Sequence, residues 1–252
     1  MKSFDNILLE RRSIRKYTTK NIDDATLNAI LEMGCRASTT GNMQVYSIII
    51  TRDNEMKKKL APFHFNQKMI IEAPVTLTFC ADFNRFNKWC RLRNAEPGYD
   101  NFLSFVTAAI DAIIVAQTVA IAAEAKGLGI CYLGTTTYTA DGIINALNLP
   151  TGVVPVTTIT LGWPAERPEQ VDRLPLEAVI HNEIYKDYFA DDINKYYTPK
   201  ESSPDSLKYV AENNKETLAQ VFTDVRYKKV DNVHFSEILL SVLKKQGFFS
   251  CI

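Results

Sequence analysis

With 252 residues, 46% hydrophobic and 23% charged, the chain has the composition of an ordinary soluble globular protein, long enough for one large domain or two small ones. Lys plus Arg and Asp plus Glu both total 29, so no net field steers it toward nucleic acid or a membrane surface, and a small, locally read ligand is the partner class left. Five cysteines (Cys35, Cys80, Cys90, Cys131 and Cys251) are odd in number and form no C-x-x-C pair, which argues against a disulfide framework or zinc site and for a reducing cytoplasm.

The N-terminus, Met1 to Asn6, carries no long apolar region, so no secretory signal is expected. Phe4 to Arg11 reads as a short amphipathic helix, and a second follows Asp23 or Asp24 as cap, with Gly34 near its end. Val45–Thr51 is a β-branched strand. Glu55–Ala73 is helical in two pieces, broken near Pro62, and leads into a strand over Val75–Cys80. Tyr99–Lys126 is apolar on nearly all sides, but Asp111, Gln117 and its many alanines make it a buried core or interface helix and not a membrane span. Ile130–Leu133 is a strand, Asp141–Leu147 a helix, and Val153–Leu161 a strand ending at Gly162-Trp163-Pro164. Strands that alternate with helices predict a mixed α/β sheet with helices on both sides. Beyond His181 the chain turns charged and Tyr-rich, with a loop expected at Pro199–Pro204 and helices near Asn213–Val225 and Phe235–Lys245.

Four segments could carry chemistry. Arg11-Arg12-Ser13-Ile14-Arg15-Lys16-Tyr17 gathers cations and a hydroxyl before any strand; Arg suits phosphate oxygens bidentately, and a solvated basic turn is the plain alternative. Ser38-Thr39-Thr40-Gly41-Asn42-Met43-Gln44 offers uncharged donors and acceptors fit for a polyol or heterocycle edge, or is simply a turn. Gly127-Leu128-Gly129-Ile130-Cys131-Tyr132-Leu133-Gly134 runs from helix to strand, the reverse of a dinucleotide fingerprint, and by itself reads as a cap and a close-packed strand. Leu161-Gly162-Trp163-Pro164-Ala165 is a corner, followed by Arg173-Leu174-Pro175. His64, His181 and His234 are too scattered for a metal cluster and read as surface or satisfied residues. With no nucleophile–base set and no carboxylate pair, an enzyme of this sequence must borrow its chemistry, and a flavin would suit.

In this order and spacing the four segments resemble the nitroreductase family, nearest the oxygen-insensitive NADPH nitroreductases and the flavin reductases of luminous bacteria. The likeness runs from Phe4 to Pro175 and takes in Phe79-Cys80-Ala81-Asp82-Phe83-Asn84-Arg85. The resemblance implies an α+β fold (a central sheet flanked by helices, with a C-terminal helical arm), in which residues 1–180 form the FMN-binding core and residues 181–252 an extension wrapping a partner subunit. It implies a homodimer with FMN bound at the interface, no metal, and hydride passed from NADH or NADPH through FMN N5 to nitroaromatics, quinones or free flavin in two half-reactions. By the same likeness Arg11, Arg12, Ser13 and Arg15 serve the phosphate and pyrimidine edge, with Arg15 offsetting charge on the reduced flavin. Ser38, Thr39, Asn42 and Gln44 face the flavin from the partner subunit. Gln67, with Lys68 beside it, matches a ring-edge contact, Tyr132, Leu133 and Gly134 match backbone contacts, and Arg173 a phosphate-side cation.

Two positions depart from the pattern. Val171 stands where relatives often carry a second phosphate-side lysine, and in the arm stretch Tyr197–Ser203 only Lys200 is left to meet a 2′-phosphate, so an NADPH preference is not carried over. A flavin-storage protein, another flavin chemistry on the same fold, and an interaction module without cofactor stay open at this point.

Overall fold

The helix at the centre of the fold begins where Asn101 accepts a hydrogen bond from the backbone N–H of Ser104 at 3.1 Å. The computed structural model describes residues 3–249, so Cys251 lies outside it. Preceding the central helix are α1 (Phe4–Leu9), α2 (Asp24–Gly34), α3 (Asn54–Leu60), α4 (Met69–Glu72) and α5 (Asn84–Arg91). The central helix itself, α6, spans Phe102–Ala125; α7 (Ala140–Leu147) follows. By length and composition α6 could cross a membrane, but one side packs into the core, where Ala108, Ala112, Val115, Ala116, Val119 and Ala120 are buried. Small side chains let neighbours approach: a Cβ on Gly34 of α2 would lie 2.1 Å from Val119 Cγ2. The helix stops at Lys126, and Gly127 takes the left-handed φ of 83° that ends it.

The sheet that α6 covers has four strands, β1 (Tyr46–Thr51), β2 (Val75–Asp82), β3 (Gly129–Leu133) and β4 (Val153–Gly162), in the order β1-β2-β4-β3. Every pairing among them is antiparallel, within the α+β architecture of a central sheet flanked by helices that was expected. Register puts Ile48 against Phe79, Leu77 against Ile159 and Ile130 against Leu161. β2 is buried from end to end, so both of its faces are covered. Each fully buried Phe or Leu there contributes about 1.5–3 kcal/mol of transfer free energy.

The predicted elements are present in this half, with shifted ends: the helix expected from Tyr99 starts at Phe102, and the two-piece segment is α3, a tight turn over Ala61–His64, and α4. Helix α5 was not foreseen. It contributes Phe86 to a ring cluster with Phe83 and Tyr99, in which Phe83 and Tyr99 are stacked at 4.8 Å.

Two compact units divide the chain, one running to Glu169 and resuming at Phe235, the other covering Gln170–His234. In the second unit lie α8 (Ala190–Glu201), α9 (Pro204–Glu212) and α10 (Leu218–Val221). The loop expected at Pro199–Pro204 is corrected: Pro199 sits inside the last turn of α8, and the chain reverses at Ser202–Ser203, with Ser203 capping α9 and Pro204 at its first position. The helix expected over Asn213–Val225 is also absent as such. Asn213 ends α9, Asn214 is left-handed, and only Leu218–Val221 is α-helical before a wider turn over Phe222–Arg226. Helix α11 (Lys229–Lys245) is longer than foreseen, and its Val242 and Leu243 join Phe105 and Val154 in the core of the first unit.

Candidate functional site

The Arg11–Tyr17 segment lies along the edge of β3. The backbone N–H of Ile14 donates to Ile130 O at 2.8 Å, Thr18 N–H to Trp163 O at 2.9 Å, and Tyr17 bridges to Pro164. Gly129 makes this possible, because a Cβ there would sit 2.6 Å from Ile14 Cγ1. Gly162 does the same for Tyr17, whose ring a Cβ would meet at 2.7 Å. The Tyr17 hydroxyl bonds Ile14 O at 2.7 Å and Thr160 Oγ1 at 2.8 Å, and burial raises its pKa well above the usual phenol value. Glu166 Oε1 accepts from the backbone N–H groups of Arg15 (2.9 Å) and Lys16 (3.1 Å), fixing the turn. Three of the four segments singled out in the sequence therefore meet, and the glycines of the third and fourth are the reason.

The cations of this segment divide in role. Arg11 Nε lies 3.5 Å from Glu124 Oε2 on α6. Arg12 donates to the carbonyls of Glu10 (3.2 Å) and Pro168 (2.9 Å), tying down the chain after the corner. Ser13 is half-buried. Arg15 is exposed, and its guanidinium has no hydrogen-bond partner among the described residues. Arg11, Arg12, Glu124, Gly127, Glu166 and Arg167 line a cleft of about 450 Å³. Along β3, the Tyr132 hydroxyl donates to Gln117 Oε1 at 3.2 Å, and burial pushes that phenol up to about 12. Leu133 is buried, and Gly134 faces open space: a Cβ there would meet nothing within 4 Å. Half-buried Gln67 and exposed Lys68 follow a turn in which Phe65 and Asn66 both take a positive φ, 55° and 53°.

The second segment is anchored elsewhere. Asp111 Oδ1, fully buried on α6, accepts from Thr40 N–H (2.9 Å) and Thr40 Oγ1 (3.1 Å). Gly41, Asn42 and Gln44 are all left-handed, with φ between 53° and 55°. Arg85 of α5 donates to Gln44 O and, at 3.2 Å, to Tyr46 O. Ser38 is exposed and Thr39 half-buried beside them. Asp111 and Glu124 are thirteen residues apart on one helix, so the two segments attach to α6 at points about 20 Å apart along its axis. The structure brings the first, third and fourth segments together and leaves the second apart. Arg173 belongs to the second unit, where it donates to the carbonyls of Val171 (3.3 Å) and Asp172 (2.8 Å).

The arrangement holds an exposed guanidinium on the segment that runs along β3 and, among the described residues, sets no nucleophile beside a base. That is equipment for binding an anionic ligand, not for acid–base chemistry on its own account. The site residues that sequence reading missed are the anchors Asp111, Glu166, Arg85 and His64, which act on backbone groups or on other side chains; only Asp111, a carboxylate in an apolar run, left a signal. The sequence reads His64 as a surface or satisfied residue; it is fully buried, with Nδ1 2.9 Å from Thr135 Oγ1 and Nε2 without a partner among the described residues.

The profile of the Nitroreductase family matches residues 8–163, and the chain belongs to that family. Within it, the chain is 33% identical over 245 residues, 96% of either chain, to the FMN reductase [NAD(P)H] of Bacillus subtilis. It is 33% identical over 180 residues (71% of this chain, 73% of the other) to the oxygen-insensitive NADPH nitroreductase of Salmonella typhimurium. A crystal structure from Bacteroides fragilis superposes with a TM-score of 0.96 at 58% identity, covering 97% of this chain and 99% of that one.

Proposed function

We propose that this chain is an NAD(P)H-dependent FMN oxidoreductase acting on small acceptors such as nitroaromatics, quinones or free flavin. The observation that carries the reading is the bond from Ile14 N–H to Ile130 O, which holds the Arg11–Arg15 segment along β3, the strand that ends next to the open backbone of Gly134. These residues fit an anionic, planar cofactor. Arg15 has an uncommitted guanidinium, Gly134 leaves room above its backbone, and Gln67 adds a neutral carboxamide. When bound, FMN takes a hydride from a nicotinamide donor and passes the electrons to a second acceptor. Arg11 is partly neutralised by Glu124 and Arg12 is engaged by carbonyls, so Arg15 is the cation available to offset the charge gained on reduction. Solvent reaches this edge, so no side chain is required as proton donor.

The working form in this reading is a homodimer. On α6, Leu103 (72%), Ile110 (50%) and Ile113 (50%) are exposed, an apolar face that a second copy would cover. The roughly 20 Å between the anchors of the first and second segments fits a site completed by Ser38, Thr39, Asn42 and Gln44 of another copy. Free thiols at Cys35, Cys80, Cys90 and Cys131 fit the cytoplasm.

Purification and steady-state turnover test the proposal. The protein is expected to carry a yellow chromophore that releases FMN, and to oxidise NADH or NADPH with a nitro compound, a quinone or free flavin as acceptor. A colourless protein that takes up no FMN would overturn it, and light scattering at the monomer mass of 28.5 kDa would overturn the dimer.

A further inference from the structure

Two stretches that carry candidate flavin-edge residues are tied together by side-chain hydrogen bonds. One is Ala61–Lys68, which ends in Gln67 and Lys68; the other is Tyr132–Thr139, which begins with Tyr132, Leu133 and Gly134. His64 Nδ1 lies 2.9 Å from Thr135 Oγ1, the residue after Gly134, and both side chains are buried. Thr139 Oγ1 donates to Phe63 O at 2.5 Å and reaches Thr135 O at 3.3 Å, so the bridge is two-stranded. His64 O in turn accepts from Gln67 N–H at 3.1 Å, across the left-handed pair Phe65 and Asn66. A left-handed phenylalanine followed by a left-handed asparagine holds its shape only where the surroundings fix it.

An apolar side chain would fill this interior without burying a polar nitrogen. His64 Nε2 has no partner among the described residues, and desolvation holds the imidazole neutral, its pKa down at about 4. A polar group kept at such a cost in a dry place is there for the bond it does make.

We propose that His64 is a positioning residue: through Thr135 it locks the Gln67–Lys68 turn to the strand end at Gly134, so that both present one rigid edge to the cofactor. The inference rests on the FMN reading above. It assigns His64 no contact with substrate or flavin and no proton transfer.

Four variants test it: His64→Leu, Thr135→Val, the two combined, and His64→Asn, whose carboxamide can place a polar atom near the Nδ1 position. The measurements are FMN release on dilution of the holoprotein, followed by flavin fluorescence, together with KM and kcat for the donor. Each of the first two variants is expected to weaken FMN binding roughly tenfold, the scale of one buried hydrogen bond. The double variant should be no worse than the weaker single one, because both break the same bridge, and His64→Asn should recover most of the loss. Thr135→Val is nearly isosteric, so it reports even if His64→Leu fails to fold. Wild-type FMN release in folded Thr135→Val, or additive losses in the double variant, would overturn the inference while leaving the FMN reading intact. A wild-type protein that binds no FMN would sink that reading, and this inference with it.

Discussion

Replacing Asp111 by alanine separates global stability from the order of one loop. The carboxylate accepts two hydrogen bonds from Thr40, at 2.9 and 3.1 Å. Bonds to a charged acceptor are worth about 1.5–3 kcal/mol each, so roughly 3–6 kcal/mol of interaction is lost. Against this, the variant no longer buries a carboxylate whose Oδ2 lacks a partner among the described residues, a relief of several kcal/mol. Thr40 is exposed, so water can take over its freed donors. The terms largely cancel, and urea unfolding should show a loss of no more than about 2 kcal/mol. Locally nothing cancels. Asn42 and Gln44 are held in left-handed backbone that costs about 1 kcal/mol or more each, and without Asp111 what opposes their relaxation is Arg85 and the loop's own bonds, Asn42 N–H to Thr39 O and Met43 N–H to Thr40 O among them. Hydrogen exchange at the Thr40 amide should therefore accelerate, and FMN affinity should fall about tenfold. Asp111→Asn keeps an acceptor and should retain most of both properties. An Asp111→Ala protein with wild-type exchange at Thr40 and FMN affinity within twofold of wild type would refute the argument.

Arg15→Ala removes the one uncommitted guanidinium of the first segment and should weaken FMN binding at least about tenfold, measured by fluorescence titration; an unchanged affinity would remove Arg15 from the site. Donor preference should be slight, with kcat/KM for NADH and NADPH within about tenfold. Three cations of the second unit already have partners, Lys200 with Asp172 (3.0 Å), Lys195 with Glu177 (2.8 Å) and Arg226 over the Tyr209 ring (4.7 Å), although exposed pairs of this kind are weak. A hundredfold NADPH preference would refute this. Stability should fall as pH drops from about 6.5 toward about 4, because in that window the unfolded chain protonates His64 while the fold keeps it neutral. The slope integrates to at most about 3 kcal/mol, and a His64→Asn protein with the wild-type pH profile would disprove the assignment.

Local chemistry made part of this molecule legible. Asp23 and Gly127 mark helix ends because a cap needs a side-chain acceptor at one end and a left-handed residue at the other. Helix α5 was hidden because Asn84–Arg91 is mostly polar, and what fixes it is a ring cluster partly supplied by Tyr99, well outside the helix. Strand order was hidden for the same reason, since β4 enters between β2 and β3 only through long-range pairing. Pro199 misled because a proline late in a segment reads as a stop, yet here it falls in the last turn of α8.

The candidate site divides along the same line. Arg11, Arg12 and Arg15 are equivalent as letters, and their roles separate only through Glu124 and the Pro168 carbonyl, neither of which any local pattern couples to them. Resemblance grouped the segments; the physical cause of the grouping is Gly129 and Gly162, which read locally as nothing more than a cap and a corner. Asp111 is the instructive case. A carboxylate in a 24-residue apolar helix was first a reason to discount a membrane span, and that use ended with the composition. Burial of a charge is tolerated only where something repays it. Such a residue in an apolar run therefore marks a partner elsewhere in the chain, and here the partner is the backbone of the loop bearing Asn42 and Gln44.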